Sequence, residues 1–257
     1  IASTFLRSTI MSGHSKWSSI KHKKGATDAA RGKVFTKHAK LIEIAAREGG
    51  SGDLMMNASL KAAVDNAKAA NVPNANIDRS IKKGTGELKG DITVGVTYEA
   101  YAPGGTALII ECLTDNKNRT LPNVRTIIEK RGGKMAESGS VKFMFTQKGI
   151  VTGKGELNDD LELSLMDANA EDIVSDDGVV TITTDVGSWT KARDIMKEAG
   201  FEIQEADMKY VPLQSVNIDN VEAAQKLMDL IDAIEEDEDV SDVHTNADIT
   251  DEVAGQM

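Results

Sequence analysis

The chain has 257 residues, 40% apolar and 28% charged, with a mean hydropathy of -0.29 and a formal net charge of -11. These proportions are those of ordinary globular proteins and exclude a disordered chain, and the length suits two or three compact units. No window approaches the roughly 18 to 20 apolar residues of a membrane-spanning helix, and the single cysteine, Cys112, has no intrachain partner.

Charge is segregated along the chain. From Met11 to Gly90 there are 15 Lys and Arg against 7 Asp and Glu; after Gly90 there are 14 against 34. A polyanion feels the local field within about a Debye length of ~8 to 10 Å, so a basic front on an acidic molecule remains compatible with phosphate binding. The plainer alternative is that two surfaces of opposite sign attract each other.

Residues 1 to 10, IASTFLRSTI, lack the long apolar stretch and cleavage pattern of a secretory signal and are left out of the fold. An upstream start, an expression remnant or a trimmed organellar leader would each account for them. Next comes GHSKWSSIKHKKG, residues 13 to 25, with four lysines, two histidines and one tryptophan. It reads as an arm in which Lys16, Lys21, Lys23 and Lys24 meet phosphates while Trp17 stacks on a base, or else docks on the helices behind it.

Thr27 or Asp28 is placed to cap a helix that runs to Gly49-Gly50. On it Val34, Phe35, His38, Leu41, Ile42 and Ala45 share one arc, and Lys33, Lys37, Lys40 and Arg47 share another, with Arg31 near its start. The first arc is expected to pack, with His38 as a buried histidine holding one hydrogen bond, and the second to face phosphate. A second helix is expected from about Leu54 to Asn71, stopped by Pro73, and a third from Asn76 or Ile77, carrying Arg79, Lys82 and Lys83.

From Tyr98 the pattern gives an extended piece, a turn at Ala102-Pro103-Gly104-Gly105, the apolar strand Ala107–Leu113, a polar loop and a helix from about Leu121 to Arg131. A further strand is expected near Val141–Phe145. Residues 149 to 212 read as βαββαβ, the order of a ferredoxin-like sandwich. A helix from Asn220 to Glu235 and an extended segment from Val240 to Ala247 would then complete the earlier sheet.

The expected fold class is therefore α+β: a three-helix domain over 11–90, a discontinuous α/β domain over 91–147 and 213–249, and a ferredoxin-like domain, 148–212, inserted in it, with a tail at 250–257. The acidic run Glu235–Asp239 is expected to be a solvated loop.

Assembled chemistry is missing from the sequence. It has no GxxxxGK[ST], GxSxG, HExxH or CxxC, and its four histidines lack metal-ligand spacing. No catalytic residue, metal or cofactor is assigned. The loop TDNKNRT, which places Asn116, Asn118 and Arg119 ahead of a helix bearing Arg125, is the one stretch dense enough for a second contact surface; Asx turns and caps use the same residues. An enzyme centred on that loop, or a protein-interaction module built on the acidic sandwich, are the trailing alternatives.

The blocks GHSKWSSIKHKKGATDAARGKVFTKHAKLIEIAAREGG, NASLKAAVDNAKAANVPNANIDRSIKKGTG, YEAYAPGGTALIIECLTDNKNRT, GGKMAESGSVKFMF and DVHTNADI together resemble the YebC/PmpR family from Met11 to about Ile249. Family members commonly carry Ala and Asn where this chain has Ser18 and Ser19. The resemblance implies a three-domain, crescent-like α+β protein with a helical N-terminal domain, described in bacteria as a DNA-binding transcriptional regulator, with relatives that act in translation. The expected partners are DNA, RNA or the ribosome, without a membrane, and the expected location is the cytoplasm, with the mitochondrial matrix as the alternative. Lysines without many Arg, Asn or Gln on the first helix favour phosphate and shape recognition over base reading, and hence the translation reading.

Overall fold

A computed structural model of the chain describes residues 28–176 and 178–256, with side chains from Gly32 onward except that of Asp251. Three helices come first: α1 (Asp28–Glu48), α2 (Ala58–Ala69) and α3 (Asn74–Gly84). Ile42 and Ala46 of α1 share a buried core with Leu60, Val64 and Ala67 of α2 and with Val72 and Ile77. The loop between α1 and α2 is fastened by Asn57. Its Oδ1 accepts from Leu60 N as the α2 cap, and its Nδ2 donates to the carbonyls of Ala45 and Ser51. Gly49 is required there, because a Cβ would collide with the Asn57 carboxamide. This cap is also why α2 starts at Ala58, whereas periodicity alone suggests Leu54.

The next unit is a four-stranded sheet in the order β3-β1-β2-β9. Its members are β1 (Val94–Tyr101), β2 (Ala107–Thr114), β3 (Lys134–Met135) and β9 (Val240–Thr245). The helices α4 (Lys117–Lys130) and α7 (Val221–Glu235) cover one face, where Val124, Ile128, Leu227, Leu230 and Ile231 pack on Leu108, Ile110 and Cys112. Ala107 and Ile109, on the opposite face of β2, pack with Val141, Phe145 and Tyr210. Buried on both faces, β2 therefore reads as a continuous apolar run.

A second four-stranded antiparallel sheet has the order β5-β6-β4-β7. It is built from β4 (Phe145–Lys154), α5 (Asp159–Asp167), β5 (Ala170–Asp176), β6 (Val179–Thr184), α6 (Trp189–Glu198) and β7 (Glu202–Pro212). Leu161 and Leu165 of α5 and Ala192 and Met196 of α6 pack on Val151, Val180, Ile182 and Ala206. Strand order and helix placement are those of a split βαβ sandwich. The chain leaves the first sheet after β3, builds the second, and returns through β8 (Val216–Ile218), α7 and β9 to pair with β2. The strand β10 (Ala247–Ile249) lies parallel to β8, and the short helix α8 (Asp251–Ala254) ends the described chain.

One expected strand is absent from its place. Residues Lys142–Met144 form a 3-10 turn, and the outer strand beside β1 is β3. The cause is Glu99, whose buried carboxylate accepts the backbone N–H groups of Gly139, Val141 and Lys142 at 2.6, 2.6 and 2.8 Å. With three amides turned inward onto one side chain, this segment has no ladder to offer, and the extended chain resumes only at Phe145 in the second sheet.

Candidate nucleic-acid interface

The lysine stripe of α1 lies against the rest of the molecule. Lys33 Nζ donates to the Asp237 carbonyl at 2.8 Å, and Lys37 Nζ meets Asp242 Oδ2 at 2.5 Å. Lys40 Nζ donates to the carbonyls of Leu113 and Glu238 and to Asp239 Oδ1, at 2.8, 3.1 and 3.2 Å. Of the arc expected to face phosphate, Lys33, Lys37 and Lys40 thus lie against the segment Asp237–Asp242, the opposite-charge attraction named as the plainer alternative. The apolar arc is also rotated from its expected position, with Val34 at 41% exposure and Ala46 fully buried.

Asp239 is the centre of this contact, with a side chain only 7% exposed. Besides Lys40, its carboxylate accepts from Arg119 Nη2 at 2.7 Å, Thr120 Oγ1 at 2.8 Å and Thr114 Oγ1 at 3.3 Å. Burial opposes its charge, but these donors prevail and hold the carboxyl below its usual range. The run Glu235–Asp239 is thus more than a solvated loop, since its last member is a buried hub.

The same hub revises the reading of TDNKNRT. Asn116 is the α4 cap, its Oδ1 accepting from Arg119 N, and Arg119 is held by Asp239 and Asp115. Asn118 and Arg125 stand exposed on α4. The cluster's density is explained by capping and by the tie to Asp239.

A second group of charges gathers where α1, β7 and β9 approach one another. Lys37 and Asp242 interact there with Glu205, Asp207 and Lys209 of β7, and Lys209 pairs with Glu205 at 2.6 Å. The site is a crevice, crowded yet open to water, with the Glu205 side chain 42% exposed. Burial opposes the charge of Asp242, but Lys37 and Lys209 hold its carboxyl well below the usual range. Asp207 is instead raised, first by burial, with Asp242 and Glu205 adding to it. His38 borders this crevice. Burial and then Lys37 push its imidazole down to about 4, and its Nδ1 is buried without a hydrogen-bond partner among the described residues.

Cations with a different setting lie on α3 and just beyond it. Arg79 and Lys82 are exposed, as is Lys89, and no ion pair joins them among the described residues. Lys83 pairs with Glu43 at 2.8 Å, and Glu43 in turn accepts Thr93 N. Arg79, Lys83 and Lys89 share with Asn76 and Phe35 the lining of a groove of about 650 Å³ between α1 and α3. Of the residues expected to contact nucleic acid, Lys16, Trp17, Lys21, Lys23, Lys24 and the side chain of Arg31 lie outside the described residues.

The comparisons follow this layout. The helical part corresponds to the family described as TACO1/YebC protein N-terminal domain, matched over residues 15–87, and the two sheets to TACO1/YebC second and third domain, matched over residues 94–247. The chain belongs to the TACO1/YebC family. Relatives named probable transcriptional regulatory protein are 44% identical over 251 residues in Halothermothrix orenii, covering 96% of this chain and 99% of that one. In Treponema pallidum the figure is 46% over 246 residues, covering 95% and 99%. The crystal structure of a conserved hypothetical protein from Aquifex aeolicus matches with a TM-score of 0.83 at 38% identity, over 91% of this chain and 97% of that one.

The TACO1/YebC sequence blocks converge in space. Glu99, from the block YEAYAPGG, holds the amides of Gly139 and Val141, from GGKMAESGSV. The block DVHTNADI supplies Asp242 to Lys37, His244 to Glu111 at 2.8 Å, and Asn246 Oδ1 to Ala107 N. No spacing rule in the sequence could have joined Lys37 with Asp242, Glu205 and Lys209, because they meet only when three separate elements are docked. No helix among the described residues is long and apolar enough to cross a membrane.

Proposed function

We propose that this TACO1/YebC member is a non-enzymatic, cytoplasmic regulator of gene expression that binds nucleic acid through its basic N-terminal part. The observation that carries the reading is the exposed cationic face of α3, Arg79 with Lys82, continued by Lys89, on the only strongly basic portion of an acidic chain. Cations so placed release counterions on meeting phosphates, while the acidic remainder repels the polyanion and orients it. The lysines Lys16, Lys21, Lys23 and Lys24, which precede α1 in the chain, add to the positive charge of this N-terminal part.

Duplex DNA is the first target, in keeping with the regulatory names of the relatives. Asn74, Asn76 and Arg79 are exposed on α3, and Asn and Arg are residue types that pair with base edges in the major groove. The second target is RNA, free or in the ribosome. It is favoured by Trp17 among the arm lysines, the pairing of stacking and charge that single strands use.

Double charge reversal, Arg79→Glu with Lys82→Glu, tests the surface in the full chain. Both side chains are exposed, so circular dichroism should be unchanged, while affinity for a labelled random duplex or RNA falls about tenfold and the salt slope drops by about 1 to 2. Unchanged affinity and slope would remove α3 from the interface. Preference for one defined duplex selects the first target, and salt-sensitive sedimentation with ribosomes selects the second.

A further inference from the structure

Two junctions hold the molecule together, and they differ in kind. Between the two sheets lies an apolar core made by Ala107, Ile109, Val141, Phe145 and Tyr210, with the Tyr210 and His244 rings edge to face at 5.6 Å. Between α1 and the first sheet the named contacts are lysines on carbonyls and carboxylates, and they border a cavity of about 280 Å³ lined by Lys33, Val34, Lys37, Val240 and Asp242. Two contacts of the helical part with the unit of the second sheet are polar as well: Asn66 Nδ2 donates to the Ala206 carbonyl of β7 at 2.6 Å, and Arg193 of α6 lies 3.8 Å from Asp65. Apolar junctions between units persist in salt; polar, imperfectly packed ones separate readily.

Phosphate would ask the α1 lysines for the same donors that these oxygens already take. An ammonium group has three N–H donors. All three of Lys40 are engaged, by Leu113 O, Glu238 O and Asp239 Oδ1. Docked α1 thus has no Lys40 donor for a ligand, and Lys37 would have to leave Asp242.

We propose that the segment Asp237–Asp242 is a built-in competitor for nucleic acid: it occupies Lys33, Lys37 and Lys40 in the closed molecule, and a phosphate backbone displaces it, swinging the helical part away from the first sheet and adding the α1 lysines to the interface. This rests on the reading that the N-terminal part binds nucleic acid. The polyanion first meets the exposed α3 face and the arm, then exchanges carboxylate and carbonyl oxygens for phosphate oxygens on α1. Closed protein is the resting state, and the fraction open sets the apparent affinity.

Zero-length carbodiimide coupling of the native full chain tests it without any variant. Lys37 and Asp242 should couple in the free protein and lose most of that product when labelled random RNA or duplex is bound. Asp242→Asn should bind the same probe up to about tenfold more tightly, with a steeper salt slope from the freed lysines. A bound complex in which the Lys37–Asp242 product is undiminished would overturn the competitor while leaving the nucleic-acid reading intact. Failure of native and Asp242→Asn chains alike to bind either probe at low salt would overturn both.

Discussion

Lys37 on α1 and Asp242 on β9 meet as an ion pair across 205 residues of chain, each side chain about one-fifth to one-quarter exposed. Its neighbours Glu205, Asp207 and Lys209 make it part of a network rather than an isolated surface pair, which raises its worth above the small value of exposed salt bridges. Lys37→Ala should cost about 1 to 3 kcal/mol in urea unfolding at low salt. The loss should shrink in high salt, and equal losses at both ionic strengths would assign Lys37 a packing role instead.

Asp239 ties Lys40, Arg119, Thr114 and Thr120 to one buried carboxylate. Asp239→Ala strands those donors and should destabilise the chain by about 2 to 4 kcal/mol in denaturant titration, more than Asp237→Ala, whose carbonyl rather than side chain holds Lys33. Equal effects of the two substitutions would contradict the hub.

Glu99→Gln should lower thermal stability, by about 1 to 3 kcal/mol, and accelerate amide exchange at Gly139, Val141 and Lys142. Burial works against the Glu99 charge, but the three amides outweigh it and hold the carboxyl below its ordinary 4.5. The folded state therefore releases this proton more readily than the unfolded one. Its contribution is complete above the unfolded value and is lost as pH falls through the folded one, so the native chain should lose more stability on acidification than Glu99→Gln does.

His38 gives a second acid dependence in a different window. Its imidazole titrates near 6.5 when unfolded and at about 4 when folded. Between those values the unfolded chain takes up the proton first, so stability is full above 6.5 and falls as pH drops toward 4, by up to about 3 kcal/mol. His38→Leu removes both the titration and the unpartnered Nδ1. Urea midpoints of that variant should stay flat between pH 7 and 5 while those of the native chain decline, and parallel curves would refute the assignment.

Periodicity and punctuation were enough for most of the elements. Gly49-Gly50 ends α1, Asn220 caps α7, and the alternation in Val179–Thr184 marks β6, because each signal is local and acts through the backbone of its own segment. The displaced strand at 142–144 shows the limit. Its residues have strand character, but Glu99, some forty positions earlier in the chain, takes the amides of Val141 and Lys142 where the strand would begin. His38 likewise sits on the arc expected to be buried, yet only the packed molecule leaves its Nδ1 without a partner.

By itself the sequence determined the family, the α+β class and the separation of a basic front from an acidic remainder, since these reside in residue types and their order. Tertiary structure decided which cations remain available. Lys33, Lys37, Lys40 and Arg79 look alike in sequence, but α1 turns its lysines onto Asp237–Asp242 while α3 leaves Arg79 and Lys82 in solvent. Availability depends on what lies within a few ångströms of each ammonium or guanidinium group, and that distance is set by the docking of distant segments.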